Sequence, residues 1–183
     1  MLVNLRALLV AIVDIILFRR GPESLPASVG LLAGVIAVNT ALSELLFMLF
    51  PVGRDMSVGE LVVAFLVPLL WYRVAFILAG KPERFLQTMI AFFGVNIVFQ
   101  PMLAPLIATL APYMVKPDPN LPPPAALSLL FFAIAVWALV VWVRVVRAAF
   151  EWPYVAVVIF IFAQAFAAVF VDMMLFGSPP KPV

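Results

Sequence analysis

The chain is 183 residues long, 67% hydrophobic and only 11% charged, with 11 Lys and Arg against 9 Asp and Glu. A soluble domain runs about 45–50% apolar and about 25% charged, and a chain this small cannot hide so much apolar surface from water. A soluble enzyme, a free cytosolic binding domain and a disordered chain are excluded, and the composition predicts an all-α, polytopic membrane helical bundle.

In chain order, residues 1–18 (MLVNLRALLVAIVDIILF) are the first apolar stretch. Arg19-Arg20 follows where a signal peptide would place a small-residue cleavage site. Asn4, Ala7, Ala11 and Asp14 recur at three- and four-residue spacing, a small or polar stripe on an apolar helix. We read residues 1–20 as an N-terminal amphipathic helix, interfacial or packed on the bundle; a sixth full span is the alternative. Residues 21–183 then form one five-helix transmembrane domain.

A spanning helix needs about 20 mostly apolar residues. Five stretches qualify, at 27–50, 57–79, 85–111, 125–147 and 153–176. Before the first, in RRGPESLPAS, Gly21-Pro22 turns the chain and Ser24 is placed to cap the helix start. Gly30 and Gly34 form a GxxxG pair, a candidate helix-packing seam. It serves this bundle first, and otherwise a second copy or a partner protein. Ser57-x-x-Glu60 is a capping box for the second span. In GKPERF, Gly80 ends that span, and Pro82 with Glu83 suits the start of the third.

The third span contains Pro101 and Pro105. Each removes a backbone hydrogen bond and strains the preceding turn, which predicts a kink or break. The connection 112–124 (PYMVKPDPNLPPP) holds six prolines and is expected to be stiff and extended. Pro124 and Pro153 open the last two spans.

Lys and Arg sort by side. Arg6, Arg19, Arg20, Arg73, Lys81, Arg84, Arg144 and Arg147 fall on one; Arg54, Lys116 and Lys181 fall on the other. The positive-inside rule puts the N-terminus in the cytoplasm and the C-terminus outside. The larger set makes a basic cytoplasmic rim suited to anionic lipid head groups, or less readily to an acidic protein. Trp71, Trp137, Trp142 and Trp152 lie towards that rim, as interfacial aromatics do.

Polar groups within the spans form a candidate intramembrane site. Counted from the cytoplasmic end, Asn96 and Gln164 lie at roughly 16 Å, Asn39 at roughly 18 Å and Gln100 at roughly 22 Å. Glu44 follows at roughly 26 Å and Asp172 at roughly 28 Å. The amides serve as interhelical hydrogen-bond glue, or they line a polar path with Glu44 as its ionisable group. Glu44 can also snorkel to the outer interface or pair with Arg54.

Neither Cys nor His occurs. Thiolate and imidazole catalysis and Cys/His metal sites are thereby removed. No nucleotide or zinc-hydrolase motif is present, no cofactor is expected, and a net charge of +2 gives no reason to expect a nucleic-acid partner.

FRRGPESLPAS at 18–28, GKPERFLQTMIAFFG at 80–94 and WALVVWVRVVRAAFE at 137–151 resemble stretches of small bacterial members of the Yip-domain family (Ypt/Rab-interacting membrane proteins). The likeness covers most of the chain, with soft motifs. It implies a five-span fold in a bacterial inner membrane, where the C-terminus placed outside by the charge bias is periplasmic, and carries no catalytic residues. The expected function is non-enzymatic: a membrane scaffold or accessory subunit that binds other membrane proteins, itself or lipids. A transporter or channel component is the alternative.

Overall fold

The computed structural model describes residues 5–51, 57–115 and 122–177, and among these no strand occurs. Six α-helices follow in order: α1 (Leu5–Ile16), α2 (Val29–Leu49), α3 (Val58–Leu78), α4 (Phe85–Val115), α5 (Ala125–Phe150) and α6 (Tyr154–Phe176). The last five are long and apolar enough to cross a membrane. They match the five stretches expected from the sequence to within a few residues at each end. Arg54, Lys116 and Lys181 lie outside the described residues, and with them the expected Glu44–Arg54 pair.

Helix α4 is the centre of the bundle. It packs against α2, α5, α3 and α1, while α6 packs on α3 and α5. Its first half supplies Met89, Ile90, Ala91, Phe93, Val95 and Phe99, all nearly inaccessible. They meet Tyr72 and Phe76 from the end of α3, Val141 to Phe150 from the end of α5, and Val157 and Ile161 from the start of α6. Short turns make these helices antiparallel, so all these segments lie at one end of the bundle. The Phe76 and Phe150 rings stack there at 4.1 Å, Phe150 and Trp152 at 4.4 Å, and Phe160 meets Tyr72 edge-on at 5.2 Å. Towards the other end burial thins out: α5 before Ala138 and α6 after Ile161 contain no buried residue.

Helix α1 lies on this core. Its 12 residues rise roughly 18 Å, too little to cross a hydrocarbon layer of about 30 Å. Leu8, Ala11, Ile12, Ile15 and Ile16 are buried, against α4 and α5. A Cβ added at Gly94 of α4 would stand 2.8 Å from Ile12 Cδ1, so a larger residue there would have to displace the Ile12 side chain.

Four local expectations need correction. Ser28, not Ser24, caps α2: its Oγ accepts from the Leu31 N–H at 3.3 Å. Ser24 is taken up in a 3-10 turn over Pro22–Ser24, where its Oγ donates to the Gly21 carbonyl at 2.8 Å. Of the expected kink or break at Pro101 and Pro105, the break does not occur: helix α4 is continuous and runs on through Pro112 to Val115, four residues into the expected loop. The two prolines leave the carbonyls of Ile97 and Pro101 without their helical donors. The apolar surroundings offer the rest of the backbone no partner but the helix itself, so the ladder resumes. Thr109 adds a bond, its Oγ1 donating to the Pro105 carbonyl at 2.7 Å.

The third correction concerns Gly30 and Gly34. A Cβ at Gly34 would meet nothing within 4 Å, and one at Gly30 only its neighbour Ser28 Oγ at 3.9 Å. The GxxxG face therefore packs against no other described helix. The fourth concerns the tryptophans, which pack inward: Trp71 on Phe160, Trp137 on Phe99, Trp142 on Phe92 and Trp152 on Phe150. The capping box holds as expected, with the Ser57 N–H donating to Glu60 Oε2 at 2.6 Å and the Glu60 N–H to Ser57 Oγ at 3.2 Å.

Candidate functional site

The packed end carries the basic residues. Gly80 takes a left-handed φ of +67° after α3, and a 3-10 turn over Pro82–Arg84 leads straight into α4. This turn sets two cations against the end of α5. Lys81 Nζ donates to the Phe150 carbonyl at 3.1 Å; Arg84 Nη1 donates to the carbonyls of Ala148 at 3.2 Å and Ala149 at 3.0 Å. Last-turn carbonyls have no helical donors, and positive charge suits that end of the dipole. Glu151, at a left-handed φ of 62°, receives Lys81 and Arg84 at 2.7 Å each. The Lys81 hydrogen bond, then that of Arg84, holds its carboxyl below the usual carboxylate range. GKPERF thus caps a neighbouring helix as well as turning the chain.

The other rim residues also engage at this end. Arg19 and Arg20 reach Asp14 at 3.8 and 3.1 Å. Arg73 lies over the Phe85 ring, Arg144 over Phe18 and Arg147 over Tyr154, at 5.4, 4.9 and 4.2 Å from the centroids. Arg6 is exposed on α1. Gln87, which the sequence reading passed over, ties the α1–α2 connection to α4: its Nε2 donates to the carbonyls of Leu25 at 2.8 Å and Glu23 at 3.3 Å. The available signal was an amide in the first turn of an otherwise apolar helix.

The intramembrane polar residues divide. Gln100 Nε2 donates to Asn39 Oδ1 at 3.3 Å, joining α4 to α2, and Asn39 is buried. One turn before Gln100, Asn96 shares with it a groove of about 450 Å³. The groove runs between α2, α4 and α5, with Leu46, Phe50, Leu103 and Ile107 among its apolar walls and Trp142 at its side. Two buried polar atoms in its lining residues have no partner: Gln100 Oε1, an acceptor, and Trp142 Nε1, a donor.

Glu44, Gln164 and Asp172 stay apart from it. All three are half-buried, and none lines the groove. None forms a hydrogen bond or ion pair with another described residue. A second groove, about 750 Å³ between α3 and α6, is almost wholly apolar; it holds Trp71, whose Nε1 is likewise buried and unpartnered. Compared with family models, with curated proteins and with solved structures, the chain finds no match in any of the three.

Proposed function

We propose that this is a non-enzymatic integral membrane protein, a scaffold or accessory subunit that binds lipids or other membrane-embedded partners. The observation that carries the reading is the α2–α4–α5 groove. Its apolar walls suit a hydrocarbon chain or an apolar helix, and Asn96 and Gln100 set two amides among them. Weakly buried outer helix halves and the uncovered Gly30–Gly34 face support partner contact within the membrane. The absence of His and Cys from the sequence supports binding over chemistry. The proposal includes a Yip-like family relation and a bacterial inner membrane. It also includes a cytoplasmic N-terminus with a periplasmic C-terminus, supported by the bias of Lys and Arg to one side.

A transport or channel component is the second reading, favoured by the same groove because it reaches Asn96 and Gln100. The unbroken α4 weighs against it, since transport sites often use interrupted helices. The cysteine-free sequence gives a direct test, with Asn96→Cys as the sole thiol in membranes. Labelling by a lipid-soluble maleimide but not by a charged, water-soluble one is expected. Rapid labelling by the charged reagent overturns the binding reading in favour of a water-filled path.

A further inference from the structure

A separate cleft, of about 290 Å³, opens at the basic end of the bundle, where the α1–α2 connection faces α5. Phe18, Arg19, Arg20, Glu23 and Arg144 are among its lining residues. We propose that this cleft binds a phosphate group, supplied by the head group of an anionic phospholipid. The inference rests on the membrane-protein reading above but not on the α2–α4–α5 groove.

Several independent features converge there. Phe18 has a left-handed φ of 63°, a backbone conformation that bulky side chains seldom adopt and that concentrates at functional sites. The reversal brings its ring under the Arg144 guanidinium, 4.9 Å from the centroid, and directs Arg19 and Arg20 back along α1 to Asp14. Three arginines thus line one cleft with Glu23, and two of them pair with the single carboxylate of Asp14, so positive charge is in excess among the described residues there. Arg144 pairs with no carboxylate among the described residues and is exposed. Its planar fork matches phosphate oxygens two at a time.

The carbonyls ending α1, which would repel an anion, are already taken. The Asp14 carbonyl accepts from the N–H groups of Arg19 and Arg20, that of Ile15 from the Phe18 N–H, and that of Ile16 from Trp137 Nε1.

Depth selects the lipid as the source. Helix α5 has 26 residues and rises roughly 39 Å, about 9 Å more than a hydrocarbon layer. Arg144 lies six residues before its end at Phe150, roughly 9 Å inside it. With the excess length on this side, its guanidinium stands at the boundary between hydrocarbon and head groups, where the lipid phosphates are.

The test uses the full chain in nanodiscs of phosphatidylcholine with a minor fraction of phosphatidylglycerol, then released intact for native mass spectrometry. The wild type is expected to retain phosphatidylglycerol. Arg144→Gln should lower retention by about tenfold, as loss of a charge-assisted contact does, and Arg144→Lys by less. Arg73→Gln, another rim cation, should leave it unchanged. Equal losses in Arg144→Gln and Arg73→Gln, or no retention by the wild type, overturn the site. Should Arg144→Gln unfold, Arg19→Gln against Arg73→Gln reads the same contrast. In lipid-free detergent, inorganic phosphate should not displace bound phosphatidylglycerol at millimolar concentration. Displacement keeps the cleft as a phosphate site but overturns the lipid as its source. Failure here leaves the maleimide test untouched, and a water-filled groove there leaves this site standing.

Discussion

The two ends of the bundle are built from the same apolar alphabet and arrive at different structures. At one end, Phe76 is wholly buried and stacks on Phe150, cations cap α5, and a short helix is pressed onto α4 through Gly94. At the other, Leu129 is 70% and Phe132 66% exposed within the chain. Hydrophobicity alone therefore does not say where a membrane helix packs. Helices gain no hydrophobic driving force from leaving lipid for one another, so association depends on close packing and polar contacts. The packed end has both, and the open end offers its surface to the bilayer or to a partner.

The sharpest way to break this comparison is to remove an equivalent ring from each end. Phe76→Ala should cost about 3–5 kcal/mol of stability, and Phe132→Ala no more than about 0.5 kcal/mol. Equilibrium unfolding in one detergent would measure both, and similar losses would erase the distinction. Next in size is a pair of glycine substitutions. Gly94→Val should destabilise by about 1–3 kcal/mol through overpacking against Ile12 and make α1 easier to cleave by protease. Gly34→Val, which meets no neighbour, should leave the isolated chain's protease pattern as it is.

The smallest effect concerns the exposed Glu151. Its carboxyl is held below its ordinary value by Lys81 and Arg84, so the unfolded chain binds the proton more tightly. The contribution is complete above the ordinary carboxylate range and fades as pH falls through the lowered value of the folded chain. Glu151→Gln should lower the unfolding midpoint slightly at neutral pH, leave it unchanged in acid where the wild-type carboxyl is protonated, and so flatten the acid limb of a plot of midpoint against pH.

These contrasts also mark what a sequence can disclose. Helix number, order and approximate ends were legible because apolar run length and capping chemistry are local: Ser57 and Glu60 need only each other. The gathering of basic residues at one end was legible for the same reason, since short connections fix which ends lie together. Azimuth was not. Counting gave Asn39 and Gln100 similar depths, but only the packed bundle turns them towards each other and leaves Glu44, Gln164 and Asp172 elsewhere. Small residues misled in the same way. Gly30 and Gly34 carry the familiar spacing, yet the glycines that side chains of other helices approach most closely are Gly94, against Ile12, and Gly59, against Phe176. The inward turn of the tryptophans depended on ring partners distant in sequence. Pro101 and Pro105 misled differently, because breaking a helix is harder where nothing else can accept its hydrogen bonds.

The length of α4 has a consequence for how the molecule sits. Its 31 residues rise roughly 46 Å. Fitting that length inside a hydrocarbon layer of about 30 Å would require a tilt of about 50°, beyond the observed range of up to about 40°. At least one end of α4 must therefore project beyond the hydrocarbon, or the bilayer must thicken around it. The start of α4 is held by Arg84 against the last turn of α5, so the excess is shared between that basic end and the last turns of α4. The central helix is thus a ruler longer than the layer it crosses, and membrane thickness becomes a variable to which this fold is mechanically coupled.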